Sequence, residues 1–505
     1  MIPRVAALPQ VRPDNISPDG ARFLNIARCI QRGQGFSTPE AWPAWMNPER
    51  LPMPETFKEP GYPYAIAALT PILGDPFRAG QWVSLLAGLL IPFLVFALGK
   101  RIDPDPAIGG LAALLAAASP VLIVQSVYVM AESVFVLVLL AAFIAAARAA
   151  RAEGDARPSG GNLMDLIAGI LLGLAFLVRA QALVALPALA LLLWVARGWK
   201  ASLGRCAIAA LGAAIAVAPY AARNLRLFGA PLHSDVAAFG LWPYVDQFAF
   251  IHSLERPAQA FAFALGHLPK IAVYAMRGLI RFGRYAVPGD LLGHWLWLAP
   301  LLVGSWVKLA RPSWRWLHLF VIATLAFMLP LNWVSRYFAT MTPLLCLLVA
   351  GGVCWLWRRY APPRLIGQIN RRLVLLVALM VIAYQAIRAD LYAEPRFTPE
   401  LAAARSEAPF LRAHLAPGEA VMCEITSYWA WFADRNAVCP VVADEAQFEQ
   451  VMDRLHVRYA ALSTSRLAEF ASRYPERSLP RALVKHHDNP EDDVTVFEVR
   501  IEGRE

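Results

Sequence analysis

Ten apolar runs of roughly membrane-spanning length punctuate the chain, at residues 79–99, 106–126, 129–148, 162–178, 180–197, 203–221, 291–309, 316–333, 338–357 and 372–388. A crossing takes roughly 20 apolar residues for a hydrocarbon core of ~30 Å. Residues 163–197 would make one helix about 52 Å long at 1.5 Å per residue. That is too long for one crossing, so the chain must turn, and Arg179 marks the polar break. Residues 107–147 pose the same difficulty and break at "SVYVMAES", which contains Glu132. Ahead of the first run, "NISPDGARFLNIARCIQRGQGF" (15–36) has helical periodicity, with Phe23, Leu24, Ala27 and Ile30 on one face. Ser17 is placed to cap that helix, Pro18 suits its first turn, and Asp19 follows. Residues 270–287 alternate apolar and basic positions at helical spacing, the pattern of a helix lying on a membrane surface.

The pattern changes near residue 391. "EAVMCEI", "NAVCPVV", "RYAALS" and "DDVTVFEVR" read as strands, "EAQFEQVMDRLHV" and "RLAEFASRY" as amphipathic helices, and "HHDNPEDD" (486–493) as a solvated loop. Such alternation predicts a small α/β domain. The expected organisation is therefore an extracytoplasmic first loop (1–78), a multi-span domain (79–390) with a long outer loop at 222–290, and a soluble domain (391–505).

Composition agrees with the pattern. The 505 residues are 58% hydrophobic and 17% charged, with mean hydropathy +0.46, far from the one-quarter charged fraction of soluble chains. The net charge of +10 does not indicate nucleic acid, because the Lys and Arg of the first 400 residues sit mostly in short loops. Lys100 and Arg101, Arg148 and Arg151, Arg197 and Lys200, Lys308 and Arg311, and Arg358 and Arg359 fall on alternate loops, which the positive-inside rule makes cytoplasmic. The termini, Glu132, Arg179, the 222–290 loop and Arg336 then face outward. With ten spans an outward start would follow an earlier membrane helix, so a first helix upstream of Met1 is expected. The six cysteines show no metal-binding spacing; Cys423 and Cys439 are either a pair or two buried thiols.

Gathered at the outer face are the carboxylates Asp14, Asp19, Glu59 and Glu132 and the cations Lys58, Arg179, Arg223, Arg226 and Arg336. Ionisable residues at membrane-embedded turns are functional candidates. Carboxylates beside several cations suit an anionic substrate whose acceptor loses a proton.

The order of Asp19, "KEPGYP", "AESVF", "GLAFLVRAQALVALP", "PYAARNLRLFGAPLHSDVAAFGLW" and "RYFATMTPLL" resembles the GT-C superfamily of integral-membrane glycosyltransferases. The likeness is nearest to bacterial relatives of the protein O-mannosyltransferases and of the lipid A aminoarabinose transferase. It implies a polytopic α-helical membrane protein of GT-C type with a small C-terminal α/β extracytoplasmic domain. It also implies inverting transfer from a polyprenyl-phosphate sugar to lipid A, another lipid, a glycan or a protein on the periplasmic face of a bacterial inner membrane. By position, Asp19 matches the general base and Glu132 the second acidic residue. Lys58 matches the basic residue that meets the lipid phosphate, with Glu59, Arg179, Arg223, Arg336 and Tyr337 as further substrate-binding candidates. Phe23 stands where the family often has Tyr, and Glu132 where some relatives have Asp. A divalent metal at Asp19 and Glu132 is left open, since some members use one. The alternative is a transporter or flippase of a lipid-linked or anionic substrate; polar residues collected at one face, rather than at the midplane, weigh against it.

Overall fold

The structure, a computed structural model, describes residues 4, 11–42, 48–151, 159–197, 199–235, 266–330, 334–360, 380, 383–384, 399–440, 445–473, 479–480 and 482–500. The tenth apolar run lies almost wholly outside them, as do residues 236–265 of the outer loop.

Helices form where the apolar runs predict them. The first, α1 (Pro18–Gln31), is amphipathic, with Phe23, Leu24 and Ala27 buried and Ser17 as its N-cap. Two more follow: α2 (Gly61–Leu73) and α3 (Pro76–Ile102). The second run is broken by 55° into α4 (Pro106–Ala118) and α5 (Pro120–Val127). Pro120 causes the break: its ring pushes Ser119 into extended backbone at φ −63°, ψ 123°. Then come α6 (Glu132–Arg151) and α7 (Ser159–Val178). Arg179 leaves the helix at φ −154°, and a 3₁₀ turn (Ala180–Ala185) leads into α8 (Leu186–Arg197). The long α9 (Trp199–Phe228) packs so tightly on α7 that a Cβ on Gly169 would lie 1.8 Å from the Ala209 carbonyl oxygen. Small residues permit this approach in apolar bundles.

The basic amphipathic stretch is α10 (Leu268–Arg281), continued by a π-helical turn (Phe282–Leu291) and bent by 109° from the following apolar segment, which contains α11 (Leu298–Leu309). Two helices, α12 (Pro312–Met328) and α13 (Thr342–Tyr360), complete the described bundle, with a 3₁₀ turn (Ser335–Met341) between them. Among the described residues three helices are long and apolar enough to cross a membrane unbroken, and two bent pairs bring the number to five. The loops expected on one side do meet: Asp103 pairs with Lys308 (2.7 Å) and Arg311 (2.9 Å), and Asp105 with Arg358 (2.5 Å).

The C-terminal unit contains a six-stranded sheet in the order β2-β5-β4-β6-β8-β7. Its strands β4 (Ala420–Cys423), β5 (Asn436–Val438), β6 (Val457–Ser463) and β8 (Val494–Val499) fall where the pattern places them. So do α17 (Glu445–Arg454) and α18 (Thr464–Arg473). Three short helices, α14 (Pro399–Ser406), α15 (Ala408–His414) and α16 (Thr426–Ala433), are additions. The expected loop at 486–493 is corrected: residues 486–489 belong to β7 (Leu483–Asn489), which hairpins with β8. Alternating polar types on a half-exposed edge strand resemble a loop when read alone.

A larger difference is β2 (Glu40–Ala41). This piece of the first loop pairs in parallel with β5, Glu40 opposite Ala437 and Ala41 opposite Val438. The first loop also makes a two-stranded ribbon of β1 (Ser37–Thr38) and β3 (Met53–Pro54). Alternation along β4 divides the sheet between two cores. Met422 faces Phe448, Met452 and Phe497, whereas Val421 and Cys423 join the apolar core that runs through α1 into the helix bundle. Cys423 and Cys439 are both buried free thiols.

Candidate active site

The site forms where the first turn of α1 meets the turns that precede α6 and follow α7. A Cβ on Gly20 would lie 2.9 Å from the Val129 carbonyl oxygen, so only glycine lets α1 approach the turn before Glu132. The Gly20 N–H donates to Ser17 Oγ at 3.0 Å, fixing the first turn. Asp19 is thereby brought to the cations. Lys58 Nζ lies 2.6 Å from its Oδ1, and Arg336 Nη2 lies 2.6 Å from its Oδ2. Phe23 backs the pair, with Lys58 Nζ 5.4 Å from its ring centroid and Tyr62 packed edge-on at 5.0 Å.

A second pair lies beside the first. Glu132, at the N-terminus of α6, accepts from Arg179 Nη2 at 2.5 Å. Arg179 and Arg336 both stand over the Tyr337 ring, their guanidinium carbons 5.5 and 4.9 Å from its centroid, and Arg336 donates to Tyr337 Oη at 3.0 Å. Glu59 Oε1 accepts the Ala180 N–H at 3.0 Å, binding the 55–60 loop to the turn after α7. Three buried polar atoms here have no partner: Glu132 Oε2, Arg179 Nε and Arg336 Nε. Buried N–H groups and carboxylate oxygens are seldom left unpaired, so these atoms are hydrogen-bonding capacity that the protein itself does not use.

Burial alone would raise the pKa of Asp19. Lys58 and Arg336, with a hydrogen bond from Lys58 and the more distant Arg179, overcome that and hold it well below the usual carboxylate range. Burial pushes Glu59 upward. Asp19 is thus a firmly ionised carboxylate, masked by two cations.

The cluster opens on a cavity of about 420 Å³. Ser17, Pro18, Met130 and Arg336 border it on the cluster side, Val121, Val124 and Tyr128 from α5 onwards form an apolar wall, and Ile425 and Tyr428 enter from the C-terminal unit.

Of the residues singled out from the sequence, Asp19, Lys58, Glu59, Glu132, Arg179, Arg336 and Tyr337 therefore come together. Arg223 does not join them. Its guanidinium donates to the Phe36 carbonyl at 2.8 Å and the Glu55 carbonyl at 3.3 Å. Asp14 turns away to Arg405 at 3.3 Å. Sequence reasoning missed Arg22, Glu40 and Glu55, a buried ionic cluster next to the site. The available signal was Arg22 itself, a charge one turn after Asp19 beside the apolar face of α1.

The carboxylates do not fit a metal centre. Asp19 and Glu132 are each engaged by cations, and among the described residues no group of three or more His, Cys, Asp or Glu side chains is arranged to hold an ion.

Three solved structures share this fold. Two are of the oligosaccharyltransferase of Archaeoglobus fulgidus. The one tethered to an acceptor peptide containing the NVT sequon superposes with a TM-score of 0.62 at 15% identity, over 94% of this chain and 69% of that one. The other, AglB in complex with an inhibitory peptide and a dolichol-phosphate, gives 0.62 at 14% identity over 91% and 68%. The third, ArnT from Cupriavidus metallidurans bound to undecaprenyl phosphate, gives 0.61 at 13% identity over 98% and 96%. Residues 55–222, which carry Lys58, Glu59, Glu132 and Arg179, match the model of the dolichyl-phosphate-mannose-protein mannosyltransferase family. No curated protein matches the chain in a sequence search.

Proposed function

We propose that the protein is a membrane glycosyltransferase that moves a sugar from a polyprenyl-phosphate donor to a lipid, glycan or protein acceptor at the extracytoplasmic face. The observation that carries this reading is the double ion pair on Asp19 beside unpaired N–H groups of Arg179 and Arg336. The dolichol phosphate and undecaprenyl phosphate named with the structural neighbours add support for the donor class. The shared end of the basic loops supports the outward orientation of the opposite end, where the cluster sits. Exposed Val273, Met276, Leu279 and Ile280 on α10 suit a helix resting on the outer membrane surface.

The geometry suggests how such a site works. A donor phosphate entering the cluster competes with Asp19 for Lys58 and Arg336 and takes the free N–H groups. As the cations turn to phosphate, the pKa of Asp19 rises toward the ordinary range, so the base is unmasked only when donor is present. The acceptor oxygen bonds to the anomeric carbon from the face opposite the phosphate, and its proton passes to an Asp19 oxygen. The bond from carbon to phosphate oxygen breaks, and polyprenyl phosphate leaves with its charge held by the cations. That displacement inverts the anomeric centre. The free oxygen of Glu132 is available to a sugar or acceptor hydroxyl, and the cavity beside Arg336 has room for an apolar portion of substrate.

The test is transfer from a polyprenyl-phosphate sugar in membranes carrying Asp19→Asn. General-base loss is expected to cost about 10²–10⁴-fold at normal expression. Unchanged transfer would overturn the assignment.

A further inference from the structure

One turn beyond Asp19 on α1, Arg22 is buried in an ionic cluster that does not line the cavity. It grips Glu55 with both ends of its fork, Nη2 to Oε1 at 3.0 Å and Nε to Oε2 at 3.3 Å. Its Nη1 lies 3.6 Å from Glu40 Oε2. Glu40 and Glu55 are fully buried. We infer that Glu55 is a positioning residue that holds Lys58 against Asp19, and that the C-terminal domain shares in that hold through Glu40.

The first half follows from what Glu55 touches. Its Oε1 accepts the main-chain N–H groups of Phe57 (2.6 Å) and Lys58 (2.9 Å). The Glu55 carbonyl is held by Arg223 at 3.3 Å. Thr56 is tied to Asp235, Oγ1 to Oδ2 at 2.6 Å. A lysine stem is flexible, so fixing the backbone at 55–58 determines where Nζ reaches, and it reaches Asp19.

The second half follows from Glu40. Its Oε1 accepts from Asn25 Nδ2 at 2.9 Å, and its Oε2 accepts from Ser427 Oγ, on α16, at 2.7 Å. Asn25 Nδ2 also donates to the Ser427 carbonyl at 3.0 Å. Because Glu40 lies on β2, the strand lent to the C-terminal sheet, displacement of that sheet would pull on Arg22, Glu55 and the backbone of Lys58. A buried ionic cluster adds little stability over apolar packing of the same shape; what this one supplies is the placement of Lys58.

The inference rests on the reading of Lys58 as a donor-phosphate ligand, and the experiment separates the two. Affinity for undecaprenyl phosphate is measured on the full-length protein in nanodiscs, for Glu55→Gln and Ser427→Ala, each alone and combined with Lys58→Ala. Lys58→Ala is expected to weaken binding about tenfold or more, Glu55→Gln about tenfold and Ser427→Ala about threefold. In the Lys58→Ala background neither second change should weaken it further, because each acts through Lys58. Equal losses in both backgrounds, or no loss from Glu55→Gln alone, would overturn the positioning role. A silent Ser427→Ala would remove the domain's part in it. An unaltered affinity in Lys58→Ala would overturn the donor reading, and this inference with it. Ser427→Ala deletes a single hydroxyl, so the test stands even where Glu55→Gln does not fold.

Discussion

Two ionic clusters sit one helical turn apart on α1, and they differ in completeness. Around Asp19 the cations Lys58 and Arg336 meet one carboxylate, and Arg179 meets Glu132, with three buried polar atoms unpaired and a cavity alongside. Around Arg22 one cation meets two carboxylates, and those carboxylates take hydrogen bonds from Asn25, Ser427 and two main-chain N–H groups. The first cluster has cation to spare for an incoming anion. The second has none and is sealed. Helices, charges and burial are shared, and the second cluster also leaves a buried acceptor unpaired, Asn25 Oδ1; what separates the two is that the first has spare arginine N–H donors beside a cavity and the second does not.

The contrast breaks if both clusters respond alike to loss of charge. At the first, Asp19→Asn is expected to cost about 10²–10⁴-fold in transfer while undecaprenyl phosphate binds as well as before or better, since Lys58 and Arg336 are released. Parallel rate and affinity measurements check this. At the second, Arg22→Ala leaves two buried carboxylates without their cation. The loss should appear as about 3–5 kcal/mol of stability, read by thermal unfolding in detergent. A variant that folds normally would show that the Arg22 cluster is not the sealed network described. Smaller again, Arg336→Ala removes one charge-assisted contact to phosphate and should weaken undecaprenyl phosphate about tenfold with little change in melting temperature.

The first cluster was legible in the sequence and the second was not, for a physical reason. Asp19, Glu132, Arg179 and Arg336 interrupt apolar runs or open helices, so each is anomalous in its own window. The turns at Glu132 and Arg179 follow from length alone, because an apolar run of that size cannot cross once. Glu40 and Glu55 lie in an irregular loop where carboxylates are unremarkable, and their burial depends on β2 joining a sheet almost 400 residues away in sequence. A two-residue strand has no periodicity to detect. The same holds for β7, whose polar types suggested a loop until the hairpin with β8 formed. Arg223 illustrates the converse: its position beside an outer loop was clear, but its choice of main-chain carbonyls over the Asp19 cluster depends on the path of residues 36 and 55.

The smallest effect, and the one that sharpens the comparison most, is in pH dependence. Asp19 in the free protein lies well below the usual carboxylate range because Lys58 and Arg336 outweigh its burial. Its pairs therefore contribute stability that is fully present above the unfolded-state value near ~3.9 and is lost only as pH falls through the lower folded value. Between neutral and mildly acidic pH this carboxylate stays ionised and stability from it stays constant. Donor phosphate changes that balance by drawing the cations away. Since kcat/KM reports the free protein and kcat the bound complex, the acid limb of kcat should lie at higher pH than that of kcat/KM. Glu59 and Glu40 are both raised by their burial toward this window, so the two profiles are compared in Glu59→Gln, the one of the two that lies in the Asp19 cluster. Coincident limbs in that variant would mean that Asp19 keeps its cations throughout the reaction. It would then be a fixed anchor like Glu55, and the difference between the two clusters would vanish.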